Sequence, residues 1–394
     1  MSTLIPLKQS DSREIRGRKP LINRADISAN RDFSAESTLS QYVYCVIPAT
    51  AQRALNLRGK IPAQEGIGSD GINTICHEDI TAIVSSADPV DLENMRRDNL
   101  ARLLLTHQKV IELIMESSSA VIPFRLGTYA VTEAEVVKIL SKGSRLIRRL
   151  FSEIGDRIEL DVVATWANFT SALKEASEED EIKKYKEALA VDPRGISIDD
   201  QMKVGLMVKQ TLDRKRLEIS RQIAEKLAAV SGAQRVHENM DDQMVLNCAF
   251  LVEAARRQEF EHALDELDAQ FMEKLKFRCV GPLAPYSFHT LDLKRIQWQA
   301  VDSARQLLGL DGVASPEEIK KAFRHSAMAK HPDHCGQADT AERDFDELIR
   351  ARQIVLEYFQ ACEQTESAAQ IVFSEENVRQ NSLLVKVRNE NDHR

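Results

Sequence analysis

Ser315-Pro316-Glu317-Glu318 and His331-Pro332 bracket a stretch that has little freedom to be anything but a helix. Ser315 suits the N-cap and Pro316 the first helical position, while Glu318 can return a hydrogen bond to the Ser315 backbone. Pro332 ends the helix, because proline disfavours helical geometry in the residue before it. Ile319, Ala322 and Phe323 share one face. Lys320, Lys321, Arg324 and Lys330 lie on the other, with no acidic residue between Ile319 and Pro332. After a loop from Asp333 to about Thr340, helical spacing returns over Ala341–Phe359 with Phe345, Leu348, Val355 and Phe359. The expected product is an antiparallel helical hairpin with a basic outer face. Its loop, His331-Pro332-Asp333, is built to engage another protein. Ser326 falls on the inner face, where a hydroxyl must bond the Ala322 carbonyl or go without.

Upstream, the apolar period switches repeatedly between two and 3.6. Tyr42–Ile47, Ile72–Cys76, Ile80–Ser85 and Val121–Arg125 read as strands. Ile158, Leu160 and Val162 alternate with charged residues, as a half-exposed strand does. Leu100–Ile114 and Val136–Phe151 carry helical spacing. Residues 172–230 predict two helices, the second long, followed by a strand at Met244–Val252, a helix with Phe260, Leu264, Leu267 and Phe271, and a strand near Phe277–Val280. Strands interleaved with helices on this scale predict an α+β sheet with helices on one face. Residues 1–38 are polar and aperiodic and are expected to be a disordered arm.

Composition narrows the function classes. A net charge of −8 offers no overall footprint for nucleic acid. No apolar run approaches the roughly 20 residues of a membrane span, and no secretory signal opens the chain, so a cytoplasmic protein is expected. The six cysteines contain no C-x-x-C pair and predict isolated thiols. His331, His334 and Cys335 lack a fourth ligand for a structural zinc site. The glycines at 66, 68 and 71 do not join a strand to a helix, as a dinucleotide-binding turn requires. His107, on an apolar helix face, reads as a core histidine. No catalytic residue, cofactor or metal is expected.

Several segments occur in one order: Tyr42-Val43-Tyr44; Asp79–Ser85; His107 leading to Ile122-Pro123-Phe124-Arg125-Leu126-Gly127-Thr128; Ile158–Val162 with Trp166; Leu246–Val252; and Gly281-Pro282-Leu283-Ala284-Pro285-Tyr286-Ser287-Phe288. This succession resembles the GvpF/GvpL family of gas vesicle proteins over about residues 40–293. It departs at Cys45, Leu283 and Ala284. The resemblance implies a ferredoxin-like α+β domain over 39–168 and a second α+β domain over 169–293. It also implies an accessory or minor structural protein that contacts the hydrophobic gas vesicle shell protein and other accessory proteins.

The hairpin, with a short first helix ending Leu307-Leu308-Gly309-Leu310, resembles a J-domain over 298–362, leaving 363–394 as a flexible tail. Ser326, Ala329 and Arg352 depart from the family pattern. The resemblance implies docking on a DnaK-type chaperone through His331, Pro332 and Asp333, with Lys320, Lys321, Arg324 and Lys330 steering an acidic partner surface. Together these resemblances lead to an expected non-enzymatic gas vesicle assembly factor that recruits the chaperone to shell subunits. The alternatives are a general co-chaperone with a borrowed body, or a passive vesicle component with a degenerate J-like docking module.

Overall fold

The computed structural model describes residues 40–52, 66–68, 71–118, 120–191, 193, 195–330, 338–365 and 369–388, with backbone alone at 52, 329–330, 338–342 and 344. The expected arm over 1–38 lies outside the described residues. Contacts divide the chain into two units: one runs up to Gly155 and resumes at His289, and the other spans Asp156–Phe288.

The first unit opens with β1 (Ser40–Pro48), α1 (Ala49–Gln52), β2 (Ile72–His77), β3 (Ile80–Ala87), α2 (Arg97–Met115), β4 (Ile122–Pro123), β5 (Tyr129–Ala130) and α3 (Glu133–Ile154). The sheet runs β2-β3-β1-β4, with β5 also on β1, and every pairing is antiparallel. Helices cover both faces, not one. The reason lies in β1, where Tyr42–Ile47 is apolar in both pleat registers and wholly buried. On one face α2 sets His107 against Tyr42 and Tyr44. On the other, α3 packs Val136, Ile139, Leu140, Ile147 and Leu150 against Val43, Val46, Val84 and Ile122.

The second unit contains β6 (Arg157–Trp166), α4 (Phe169–Ser177), α5 (Asp180–Ala190), α6 (Ile198–Ala228), β7 (Ala233–Val236), β8 (Met244–Glu253), α7 (Arg257–Gln270) and β9 (Leu275–Leu283). Three helices replace the two expected over 172–230, because Glu178-Glu179 breaks the first into α4 and α5. The sheet order is β7-β8-β6-β9, so β6 is central and belongs here, not to a domain ending at 168. Leu160, Val162, Ala164 and Trp166 face the helices with Phe250, Phe260, Ile223 and Leu227. On the opposite face Glu159 is buried and accepts from both the backbone and the hydroxyl of Ser287. Gly281, with φ +146°, passes so close to β6 that a Cβ there would meet the Leu160 side chain at 2.7 Å and the Glu159 carbonyl at 2.8 Å. Only glycine fits.

The chain returns to the first unit with β10 (Leu291–Arg295), α8 (Trp298–Leu307), β11 (Val313–Ala314), α9 (Pro316–Lys330), α10 (Ala338–Glu363), β12 (Ile371–Val372), α11 (Glu375–Gln380) and β13 (Leu383–Val387). The expected flexible tail over 363–394 is therefore corrected: its described part carries two strands and a helix. The expectation failed because Leu383-Leu384-Val385 is a short strand that finds its partner nearly a hundred residues upstream. β13 pairs antiparallel with β10, setting Leu293 opposite Val385. β10 in turn meets the first sheet through a parallel bridge between Phe124 and Leu291, with the Arg125 amide donating to the Leu291 carbonyl at 2.8 Å. Leu291, Leu383 and Val385 are each 2% exposed or less and pack in the α3 core. Burying such side chains stabilises by about 1.5–3 kcal/mol each. A second domain ending at 293 does not match this, since β10 belongs to the first unit.

Candidate functional site

The helical hairpin is built as its sequence requires. Ser315 Oγ accepts from the Glu318 amide at 3.3 Å, and Glu318 Oε2 accepts from the Ser315 amide at 2.7 Å, closing the capping box. These bonds hold the Glu318 carboxyl below the ordinary carboxylate range. α9 turns Ile319 inward, with Ala322 and Phe323 partly covered, against Leu348, Ala351 and Val355 of α10 and Val301, Ala304 and Leu308 of α8. Ser326 is half-buried, so the inner face is looser there than the spacing predicts.

Lys320, Lys321 and Arg324 are all exposed on the outer face of α9, and none forms an ion pair with a described residue. Lys321 also lowers the Glu318 carboxyl from across the first turns. His325 and Met328 continue this outer surface, Met328 being 76% exposed. The sequence-predicted loop His331-Pro332-Asp333 and the side chain of Lys330 lie outside the described residues. What the structure brings together is therefore the basic stem that leads into that loop.

Three supports of the stem escape a reading of the hairpin alone. Arg352 lies with its guanidinium 4.9 Å from the centre of the Phe323 ring, so this departure from the family pattern still bridges α9 and α10. Glu357, 3% exposed, is held between Lys294 of β10 at 2.7 Å and Lys386 of β13 at 3.5 Å. Tyr358 donates its hydroxyl to the Val372 carbonyl at 2.7 Å, and Ile371 and Phe373 close the same core from below. Burial raises the Tyr358 phenol above its ordinary value. The signal that marks these residues is the alternation of Val385, Lys386 and Val387, which is visible only when the tail is read as a strand.

The stem is also fixed to α3. Lys142, 6% exposed, donates to Thr365 Oγ1 at 2.6 Å and to Asn381 Oδ1 at 3.0 Å. Gln364 exchanges bonds with the Val385 backbone, donating to its carbonyl at 2.5 Å and accepting from its amide at 3.1 Å. Among the described residues no helix is long and apolar enough to cross a membrane.

Residues 40–290 match the family described as gas vesicle synthesis protein GvpL/GvpF, and residues 306–358 match the DnaJ domain. Gas vesicle protein F of Microcystis aeruginosa is 22% identical over 258 residues, which is 64% of this chain and 99% of that protein. Gas vesicle protein F2 of Halobacterium salinarum is 25% identical over 250 residues, 63% of this chain and 90% of that one. A chaperone protein DnaJ of Ehrlichia ruminantium is 45% identical over 51 residues, only 13% of either chain. The crystal structure of GvpF from Microcystis aeruginosa superposes with a TM-score of 0.51 at 22% identity, covering 64% of this chain and 99% of that one. That of GvpF from Anabaena gives 0.52 at 21%, covering 64% and 98%. The body thus has the fold of those GvpF proteins, and the chain belongs to the gas vesicle synthesis protein GvpL/GvpF family and carries a DnaJ domain within the same polypeptide.

Proposed function

We propose that this protein is a non-enzymatic assembly factor of gas vesicles that brings a DnaK-type chaperone to shell subunits. The observation that carries the reading is the union of a GvpL/GvpF body and a DnaJ domain in one chain, with Ala361 and Thr365 at the base of the hairpin stem bonded to Lys142 of α3. Gas vesicle shell subunits are hydrophobic, and a chain that touches them while recruiting a chaperone keeps exposed apolar surface from aggregating during growth. In this reading Lys320, Lys321, Arg324 and Lys330 steer the chaperone, and His331, Pro332 and Asp333 make the contact that promotes its ATP hydrolysis. The protein works in the cytoplasm and at the gas vesicle.

ATP hydrolysis by a DnaK-type chaperone, measured with full-length protein and with Asp333→Asn, tests the reading. Stimulation by the wild type and its loss in the variant, with helix content unchanged by circular dichroism, is the expected result. Equal rates with and without the protein would leave only a passive vesicle component.

A further inference from the structure

The first turns of α6 carry an apolar row that no described residue covers. Ile198 is 76% exposed, Met202 68% and Leu206 55%. Further along the helix the apolar stripe is covered. At 3.6 residues per turn Leu212, Ile223 and Leu227 continue the same stripe and face the core, while Tyr185 of α5 occupies another side, donating to Asp200 and lying 4.6 Å beneath the Lys203 ammonium. At 3.6 residues per turn, Ile198, Met202, Gly205 and Lys209 fall on one seam with 4-3-4 spacing, the spacing of a two-helix contact.

Two features of this seam say what covers it. Gly205 sits in its middle, with open space where a Cβ would be. Glycine is unfavourable inside a helix, and no contact with a described residue requires it here. A helix crossing closely at that point does require it. The second feature is charge. Asp199 and Lys209 are exposed, form no ion pair with a described residue, and sit at opposite ends of the row, too far apart along the helix to meet each other. A second copy laid antiparallel brings them together. With Met202 placed in the notch over the partner's Gly205, Lys209 runs its methylenes over the partner's Ile198 and its ammonium reaches the partner's Asp199. A two-fold axis repeats both contacts. A parallel arrangement sets Asp199 on Asp199 and Lys209 on Lys209, and like charges oppose it.

We infer that the Ile198–Lys209 face of α6 is a homodimer contact, an antiparallel pairing of the same helix from two copies of this chain. The seam is only about 18 Å long at 1.5 Å per residue, far short of a standard interface, so the dimer is weak and reversible, in the micromolar range.

Sedimentation equilibrium of the full-length protein from about 1 to 200 µM reads this association directly. The wild type is expected to show a monomer–dimer equilibrium. Met202→Glu should weaken it by roughly tenfold or more. Gly205→Leu should weaken it as well, by filling the notch, while raising the melting temperature through better helix propensity. Asp199→Lys should weaken it several-fold, and adding Lys209→Asp to the same chain should restore it, since only the antiparallel arrangement pairs the swapped charges. All four positions are exposed, so circular dichroism should be unchanged. A monomer throughout the range, a dimer indifferent to Met202→Glu, or a charge swap that fails to restore association would each overturn the inference.

Discussion

Lys142 Nζ lies 2.6 Å from Thr365 Oγ1, a hydroxyl 223 positions further along the chain, and no carboxylate of a described residue bonds it there. Its other acceptors are Asn381 Oδ1 at 3.0 Å and the Ala361 carbonyl at 3.4 Å, both neutral. The lysine therefore fixes the base of the hairpin stem to α3 while burying a charge that no described carboxylate neutralises. Burial, and then Lys138 nearby, lower the ammonium from its ordinary 10.5 to about 8.

Lys142→Met tests this contact. It keeps the stem's volume, and Thr365 and Asn381 can still bond each other across 2.8 Å. At about pH 7 the variant should equal or exceed the wild type by roughly 1–2 kcal/mol, because an unpaired buried ammonium is costly. The sign of the pH dependence follows from the lowered value. Between about 8 and 10.5 the unfolded chain binds more protons than the folded one, so the wild type gains stability as pH rises through that window. Urea unfolding at about pH 7 and at about pH 10 should show the gap between the two proteins closing. A constant gap would mean that the amine is solvated.

Removing the tail should unfold more than the tail. A chain ending at Gln370 loses Leu383, Leu384 and Val385, each 2% exposed or less, from two cores at once. It also strips Glu357 of one of its two lysines. The expected loss exceeds about 4 kcal/mol, by cavity costs of about 2 kcal/mol or more per large buried side chain. A chain ending at Arg388 should melt with the full-length protein. Equal melting of the Gln370 truncation would show that β10 and the helical stem do not depend on β13.

How much of this was legible in the sequence depends on the range of the interaction. The capping box at Ser315, the inner face at Ile319 and the strands at Tyr42 and Ile80 are local patterns, and each was read from spacing alone. Lys142 carries no such mark, since a lysine in an amphipathic helix is ordinarily solvated and its burial is decided by a tail that closes over it. Glu357 fails for the same reason: its partners Lys294 and Lys386 sit on strands that pair across almost a hundred residues. Arg352 departs from the family pattern in sequence, and its role shows only in the fold, where its planar cation covers the Phe323 ring. The exposed row on α6 lies in a segment that the sequence predicts only as a long helix, because apolar spacing by itself does not say which face stays uncovered.

The basic face of α9 should act on association and not on folding. Lys320→Glu with Lys321→Glu changes two exposed side chains that form no ion pair with a described residue, so stability should move by no more than about 0.5 kcal/mol for each. The association rate with a DnaK-type chaperone should fall by roughly tenfold or more at low salt, and the difference should shrink as salt screens the charges over about 10 Å or less. Stopped-flow binding at two salt concentrations measures both. An effect of equal size at high salt would point to a specific contact made by one lysine in place of steering.

Glu159 gives a pH dependence of the opposite sense to Lys142. It is 1% exposed, with Asp161 two residues along the same face of β6. Burial first, and the Asp161 charge second, push its carboxyl well above the usual 4.5. A carboxyl raised in this way keeps a proton in the folded protein that the unfolded chain has released. Its contribution is present in full below about 4.5 and is lost as pH rises through the folded value. Glu159→Gln is neutral at every pH, and its carbonyl oxygen can still accept from the Ser287 amide. The Ser287 hydroxyl retains His237 Nε2 at 3.1 Å. The two proteins should therefore have similar stability at about pH 4.5, and the Gln variant should be favoured by roughly 1–2 kcal/mol at about pH 8. Thermal unfolding across that range reads the difference. Parallel curves would mean that Glu159 ionises as freely in the folded protein as in the unfolded chain, and that Ser287 holds a carboxylate there instead of an acid.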